Sequence, residues 1–532
     1  MNVKKTVLLT VSWVFLACIL HSAETAGEEQ PASKIVYPYE IASWTVPGND
    51  IDRFVLAALH KNGIDPSPQC SDEVFIRRVY LDTIGTPPEP GEVIAFLGDR
   101  RPDKRAILID VLLDRNEFAD YWSLKWCDIL RVKAEFPINL WPNAVQAYHR
   151  WIHDSIRDNK PYDMFVRELL TSSGSNFCVP PVNFYRAVQA RDPSSIAAAV
   201  ALTFMGTRFD AVPETVSSGM SVFFSRIAYK KTAEWKEEIV YLNPAPAGTL
   251  EGVFPDGKEI KIAPDSDPRI VFADWLITPD NPWFAKNIVN RVWSWLMGRG
   301  IIHEPDDIRA DNPASNPELL AYLEKELVGA RYDLKHIYRL ILNSRTYQQS
   351  SIPRTGNPDA EALFAYYPVH RLEAEVLLDI LCRISGIGEE YVSPIPEPYT
   401  FIPRDQRNIM LADGSITGPF LELFGRPARD TGMESERNNK ISDAQQMYLL
   451  NSTDIQRKIR SSQQLRRMTA VARGNKTELT RNVYMLFLSR FPTQTELENA
   501  ESYFLTEGLL FNQGVEDLAW ALINSKEFLY KH

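Results

Sequence analysis

Cysteine motifs are missing from this 532-residue chain: apart from Cys18, the cysteines are Cys70, Cys127, Cys178 and Cys382, widely separated and without CxxC or CxxCH spacing. Zinc ribbons and covalent haem attachment at such motifs are thereby excluded. No GxSxG nucleophile elbow occurs, so Ser-His-Asp catalysis has no support, and no phosphate-cradling glycine loop occurs either. Basic excess is lacking too. The formal net charge is −11, whereas phosphate binding draws its affinity from surplus lysine and arginine, which argues against a general nucleic-acid binder. After the N-terminus no apolar run has the ~20 residues that a bilayer span needs.

What is present begins with Lys4 and Lys5, an apolar run from Val7 to Leu20, and the small residues Ser22, Ala23 and Ala26 before EEQPAS. This reads as a secretory signal over 1–26, with an uncleaved anchor as the main alternative and a lipid anchor on Cys18 as a weaker one. The mature chain is then an exported protein, periplasmic or extracellular, without a membrane span. At 45% hydrophobic and 24% charged it has a soluble globular composition, and its length exceeds one ordinary core. The four later cysteines read as buried thiols, because a chain of this size stabilises itself by burial.

The grammar is mainly helical. Asn49 or Asp50 caps a helix with Ile51, Phe54, Val55, Ala58 and Leu59 on one face, ending at Gly63. A second runs from Ser71 to Gly85 and is stopped by Pro87-Pro88. Further helices follow around Val93–Leu97 and over Asp103–Leu113. In FADYWSLKWCDIL, Trp122 and Trp126 lie one turn apart and Lys125 and Asp128 are spaced to interact; aromatic pairs at this spacing are more often core than sugar platforms. From Trp235 to Ile262 the pattern alternates, and Asp256-Gly257 is a strong hairpin signal. The organisation read from these shifts is a linker over 27–48, a helical domain over 49–235, a small β-hairpin insertion over 236–264 and a second helical domain over 265–532.

The densest stretch runs from Asp274 to Arg309. Asn281-Pro282 opens a helix with Ala285, Ile288, Val289, Val292 and Leu296 inward and Lys286, Asn287, Asn290, Arg291 and Ser294 on other faces. Gly298 or Gly300 ends it, and His303, Glu304, Asp306, Asp307 and Arg309 follow. Later, Asn316 or Ser315 caps one helix and Asp333 another. Gly386–Thr417 reads as a long surface loop, and Thr493-x-x-Glu496 as a capping box between helices over Thr480–Ser489 and Gly514–Leu522.

IDRFVLA (Ile51–Ala57), RRVYLDTIGTPP (Arg77–Pro88) and NKPYDMFVRELL (Asn159–Leu170) resemble the first of two paired domains of unknown function. The second is resembled by NPWFAKNIVNRVWSWLMGRGIIHEPDDIR, NPASNPELLAYLEKEL, YDLKHIYRLILNSRTYQ, HRLEAEVLLDIL, FGRPAR and DLAWALINSKEF. Such pairs are found mainly in exported planctomycete proteins, some with a cytochrome c module. The resemblance covers nearly all of the mature chain and implies no activity. It also implies a CxxCH-type motif where this chain has Ala211, Glu214 and Thr215, and a CxC pair where it has Met433 and Ser435. Alanine offers no donor, so a metal or haem site built there would be dismantled; disulfides in the relatives would be the bland alternative.

For chemistry the candidates are His303, Asp306, Asp307, Glu434 and Glu436, with Arg291, Arg309, Arg426, Arg429 and Arg437 as ligand-binding candidates. Histidine beside carboxylates suits acid–base catalysis or hard-cation binding; charged loop clusters more often hold helix ends through ion pairs. The favoured expectation is a non-catalytic binding or scaffold protein of the cell envelope, with no cofactor and with an envelope protein or a polysaccharide as partner. The alternatives are a polysaccharide-acting hydrolase whose loop carboxylates line one cleft, and a partner of a periplasmic cytochrome.

Overall fold

The computed structural model describes residues 39–244, 248–393, 395 and 400–532, with the side chain of Ala211 left aside. The expected signal segment and positions 27–38 of the expected linker lie outside these residues. The fold is mainly helical, as the periodicity predicts. Many ends fall where the caps place them. Asn49 caps Asp50–Lys61 in a capping box, Ser71 caps Asp72–Ile84 with Gly85 left-handed at φ 59°, and Asn316 and Asp333 cap Pro317–Gly329 and Leu334–Leu342. Thr493 forms the anticipated box with Glu496. Asn281 caps as expected, its Oδ1 accepting from the N–H groups of Trp283 and Phe284 at 3.0 and 3.1 Å, but the regular helix is Phe284–Met297, starting after Pro282.

That helix differs from its sequence reading in one respect that shapes the site. Asn287, Asn290 and Arg291 do not face solvent: they are 0, 0 and 1% exposed. Each finds polar partners inside. The Asn287 amide donates to the Thr203 carbonyl (2.9 Å), Asn290 both donates to and accepts from the Ile302 backbone (2.9 Å each), and Arg291 donates to the Leu202 carbonyl (3.0 Å). The helix is therefore enclosed along most of its surface, with Lys286 and Ser294 partly exposed, and its buried polar side chains serve loops that cannot pair with water.

Residues Tyr39–His532 pack as one compact unit, and the two helical halves share one continuous core. An aromatic seam joins them: Trp122 and Trp126 stand 5.4 and 6.1 Å from Trp295, Trp122 is 4.5 Å from Tyr338, and Tyr162 stacks on Phe284 at 4.9 Å. Trp122 and Trp126, at 2 and 4% exposed, are core. Polar ties reinforce the seam. Buried Asp52 accepts from the N–H groups of Arg345 and Thr346 (3.0 and 2.8 Å), and Arg78 donates to the carbonyls of Gln349 and His532 (2.8 and 2.7 Å). Lys531, itself buried, lies 3.1 Å from Asp82 and 3.2 Å from Glu373.

The β structure is richer than one hairpin. Leu250–Val253 and Glu259–Ile262 form the hairpin that Asp256-Gly257 announces. The strand Glu238–Leu242, however, pairs with Ile227–Lys231 and Gly174–Ser175 in a separate antiparallel sheet. IAYKK at Ile227–Lys231 is half-exposed with two terminal lysines, so its alternation is faint. Three helices, Asp443–Asn451, Thr453–Ser461 and Gln463–Ala472, fill a region the sequence left unassigned. Ser442, Ser452 and Ser462 cap them in succession, so three short helices follow one another with a serine at each start. The region 386–417 is non-helical among its described residues apart from a turn at Asn408–Met410. Cys70 and Cys127 are buried thiols, Cys382 is half-buried, and Cys178, against expectation, is exposed; all four are free.

Candidate functional site

The 303–309 loop leaves the enclosed helix through Gly298, held at φ 72°, and meets the 429–437 loop. One Asp306 oxygen accepts from the Glu434 N–H at 2.6 Å, and the other receives the Arg291 guanidinium. Arg291 Nη1 lies 3.7 Å from Glu434 Oε2, and Trp295 Nε1 donates to Glu434 Oε1 at 3.0 Å. Asp306 and Arg291 are each 1% exposed. Burial pushes the half-exposed Glu434 carboxyl above its ordinary range; Lys125 and Arg291 oppose this and Asp306 adds to it.

The arginines of the second loop are used elsewhere. Arg429 Nε donates to Asp128 Oδ1 at 2.8 Å, Arg437 binds Asp128 Oδ2 (2.7 Å) and Glu375 (2.8 and 3.1 Å), and Arg426 Nε lies 3.3 Å from Glu375. This forms one buried chain of alternating charge. Burial alone would raise the Glu375 carboxyl, but Arg437 and Arg426 outweigh it and bring it down to about 2. Lys125 pairs not with Asp128, as its helical spacing suggests, but with Glu373 across the seam at 2.7 Å.

The remaining candidates are dispersed. Glu436 accepts from the N–H groups of Asp430 and Thr431 (2.9 and 3.2 Å) and staples its own loop. Asp307 pairs with Arg309 at 3.2 Å, and Arg309 also with Asp311 at 3.3 Å, on the surface. His303 is exposed, and its imidazole is lowered in pKa by partial desolvation and by Arg299. Of the carboxylate candidates the geometry joins Asp306 to Glu434, while Asp307 and Glu436 bind partners of their own. Sequence reasoning missed Asp128 and Glu375 as the arginines' partners and Glu373 as the partner of Lys125. Their signal was weak: Asp128 and Glu375 read as ordinary polar positions on helices, and Glu373 directly precedes one.

The segments holding Ala211, Glu214 and Thr215 and holding Met433 and Ser435 lean on this same loop. Gly206 O accepts from the Ile308 N–H (2.8 Å), Thr207 Oγ1 donates to Ile308 O (3.1 Å), and Arg208 pairs with Glu304 (3.3 Å), while Met433 precedes the Glu434 N–H held by Asp306. Glu214, Thr215 and Ser435 are exposed. Among the described residues no three His, Cys, Asp or Glu side chains are grouped as metal ligands would be. Nor is any helix among them long and apolar enough to cross a membrane.

Two family models match. One, PSCyt2, a protein of unknown function (DUF1549), covers residues 50–216, and the other, PSD1, a protein of unknown function (DUF1553), covers residues 268–504. No curated protein and no solved structure matches the chain.

Proposed function

We propose that this chain, which belongs to the proteins carrying the paired PSCyt2 and PSD1 domains of unknown function, is a non-catalytic binding or scaffold protein of the cell envelope in which a metal- or haem-type site has been lost. The observation that carries the reading is the state of the charged candidates. Arg291, Arg426, Arg429, Arg437 and Asp306 are buried and engaged in ion pairs. A group acting as general acid or base must reach a substrate proton, and these side chains instead hold three segments together.

The lost site is supported by the placement of two segments against one loop, at 304–308, with side chains at four of the five positions (Glu214, Thr215, Met433 and Ser435) that are not thiolates or imidazole. Soft-metal and haem ligation depends on such donors. Export follows from the N-terminal apolar run and its small-residue exit. The test is the metal content and visible absorption of the protein purified from its native envelope without chelator. A colourless protein with less than stoichiometric metal is expected; a haem band or one equivalent of tightly held metal would overturn the lost-site reading.

A further inference from the structure

Although the whole chain carries a net charge of −11, the stretch Ser452–Arg473 has six lysine and arginine residues and one aspartate. It folds as the helices Thr453–Ser461 and Gln463–Ala472, and Ser462 ends the first and caps the second. The Ser462 hydroxyl donates to the Ile384 carbonyl at 2.5 Å, which ties this elbow to the core. Both helices turn their apolar side inward: Ile455 and Ile459 in the first, Leu465 and Ala472 in the second, are buried. Lys458 goes with them and meets Glu389 at 2.5 Å. The opposite side of each helix is left to arginine.

Arg457 and Arg460, one turn apart on the first helix, have side chains 69 and 68% exposed. With Thr453, Gln456 and Ser461 they line a shallow, open depression. Arg466 carries this face across the elbow, because its guanidinium donates to the carbonyls of Ser461 and Ser462, the latter at 3.3 Å. Arg467 is next to it and exposed, with Val471 one turn further on. Two carboxylates answer this charge: Asp454 pairs with Arg457 at 2.5 Å, and Glu516 lies 3.6 Å from Arg460. Exposed Asp443 and Glu478 stand on the helices before and after, Glu478 in company with Lys476 and Arg481. Arg466 bonds to neutral carbonyls, and Arg467 and Arg473 have no hydrogen bond or ion pair among the described residues. The face thus keeps uncompensated positive charge, unlike the arginines of the 426–437 region.

We propose that Arg457, Arg460, Arg466 and Arg467, with Thr453 and Gln456, form a docking face for an acidic polysaccharide. Guanidinium groups present paired donors that match carboxylate and sulfate oxygens, and the hydroxyl and amide beside them suit sugar hydroxyls. Two other anionic surfaces fit this face less well. A bilayer takes up an amphipathic helix by its apolar side; here that side is buried in the fold, and Val471 is the one large apolar side chain exposed on the two helices. Nucleic acid is held by a surplus of positive charge and by stacked rings, whereas this chain is acidic overall and Thr453–Arg473 contains no aromatic residue. The proposal rests on the binding reading above and gives it a ligand class, yet it uses none of the residues around Asp306, so the two fail separately.

The test is retention of the full chain on immobilised alginate and carrageenan, with laminarin as the neutral comparator. Retention by at least one acidic polymer and none by laminarin is expected. Arg460→Gln combined with Arg467→Gln should weaken it roughly tenfold, a factor equal to about 1.4 kcal/mol, and lysine at both positions should keep most of it. Taking the same charge from elsewhere on the surface, with Arg53→Gln and Arg404→Gln, should leave retention at the wild-type level. All four replaced arginines are exposed, so circular dichroism and the unfolding midpoint should stay unchanged. Four results would each overturn the docking face while leaving the lost-site reading intact: no retention by either acidic polymer, equal retention by laminarin, retention that the Arg460/Arg467 pair does not weaken or that the distant pair weakens as much, or displacement by duplex DNA or phosphatidylglycerol vesicles at lower anion concentration than by free alginate and carrageenan.

Discussion

Replacing Glu375 by glutamine tests whether the buried charge chain carries stability. Glu375 is fully buried and accepts from Arg437 at 2.8 and 3.1 Å, with Arg426 Nε 3.3 Å away. The change keeps shape and removes charge, so two buried guanidinium groups lose a counter-ion. Breaking one side of a buried pair costs roughly 3–5 kcal/mol. The carboxyl itself gives a second measure: its fall from 4.5 to about 2 in the folded state corresponds to about 3 kcal/mol, at ~1.36 kcal/mol per pH unit. The direction in pH follows. A carboxyl depressed in the folded state stabilises above its unfolded pKa, about 4.5, and loses that contribution as pH falls towards about 2. Urea unfolding of wild type and Glu375→Gln at pH 7, 4 and 2.5 should therefore show a large difference at pH 7 that shrinks steadily on acidification. A difference below about 1 kcal/mol at pH 7, or one constant with pH, would refute the argument.

Gly206→Ala should destabilise by about 2 kcal/mol or more, because φ is +63° and an added Cβ would lie 2.7 Å from Asn287 Oδ1 and 2.9 Å from Pro305 O; thermal unfolding reads it. Lys531→Met should cost roughly 3–5 kcal/mol by leaving Asp82 and Glu373 with less compensation in the interior, seen as faster proteolysis of the C-terminus. Of the four thiols after residue 39, Cys178 should react first with a maleimide in the native state. Cys127, buried and pushed up to about 12 by desolvation, which Asp128 reinforces and Arg429 opposes, should react only after unfolding.

Helix ends were readable wherever a side chain makes its own local bond. Asn49, Ser71, Asn316, Asp333 and Thr493 each cap the helix their sequence positions indicate, because a cap is decided within four residues. The direction of Arg291 was not readable. Helical period places it off the apolar stripe, and only the arrival of Asp306 and the Leu202 carbonyl, fixed by the tertiary fold, turns that side into interior. The meeting of Asp306 with Glu434 was legible as a condition, while the true partners of Arg429 and Arg437, Asp128 and Glu375, lie 301 and 62 residues away along the chain. The strand Ile227–Lys231 went unseen because its lysines and half-buried face weaken the period-two signal.

The most direct test of the non-catalytic account is release of reducing ends from neutral and acidic polysaccharides by the purified protein, with Glu434→Gln as the matched variant. Glu434 is the one carboxyl of the Asp306 cluster that is partly exposed and raised in pKa, which makes it the first carboxyl there to test as a general acid. No release above buffer from either protein is the predicted result. Release by the wild type that Glu434→Gln abolishes would contradict the account.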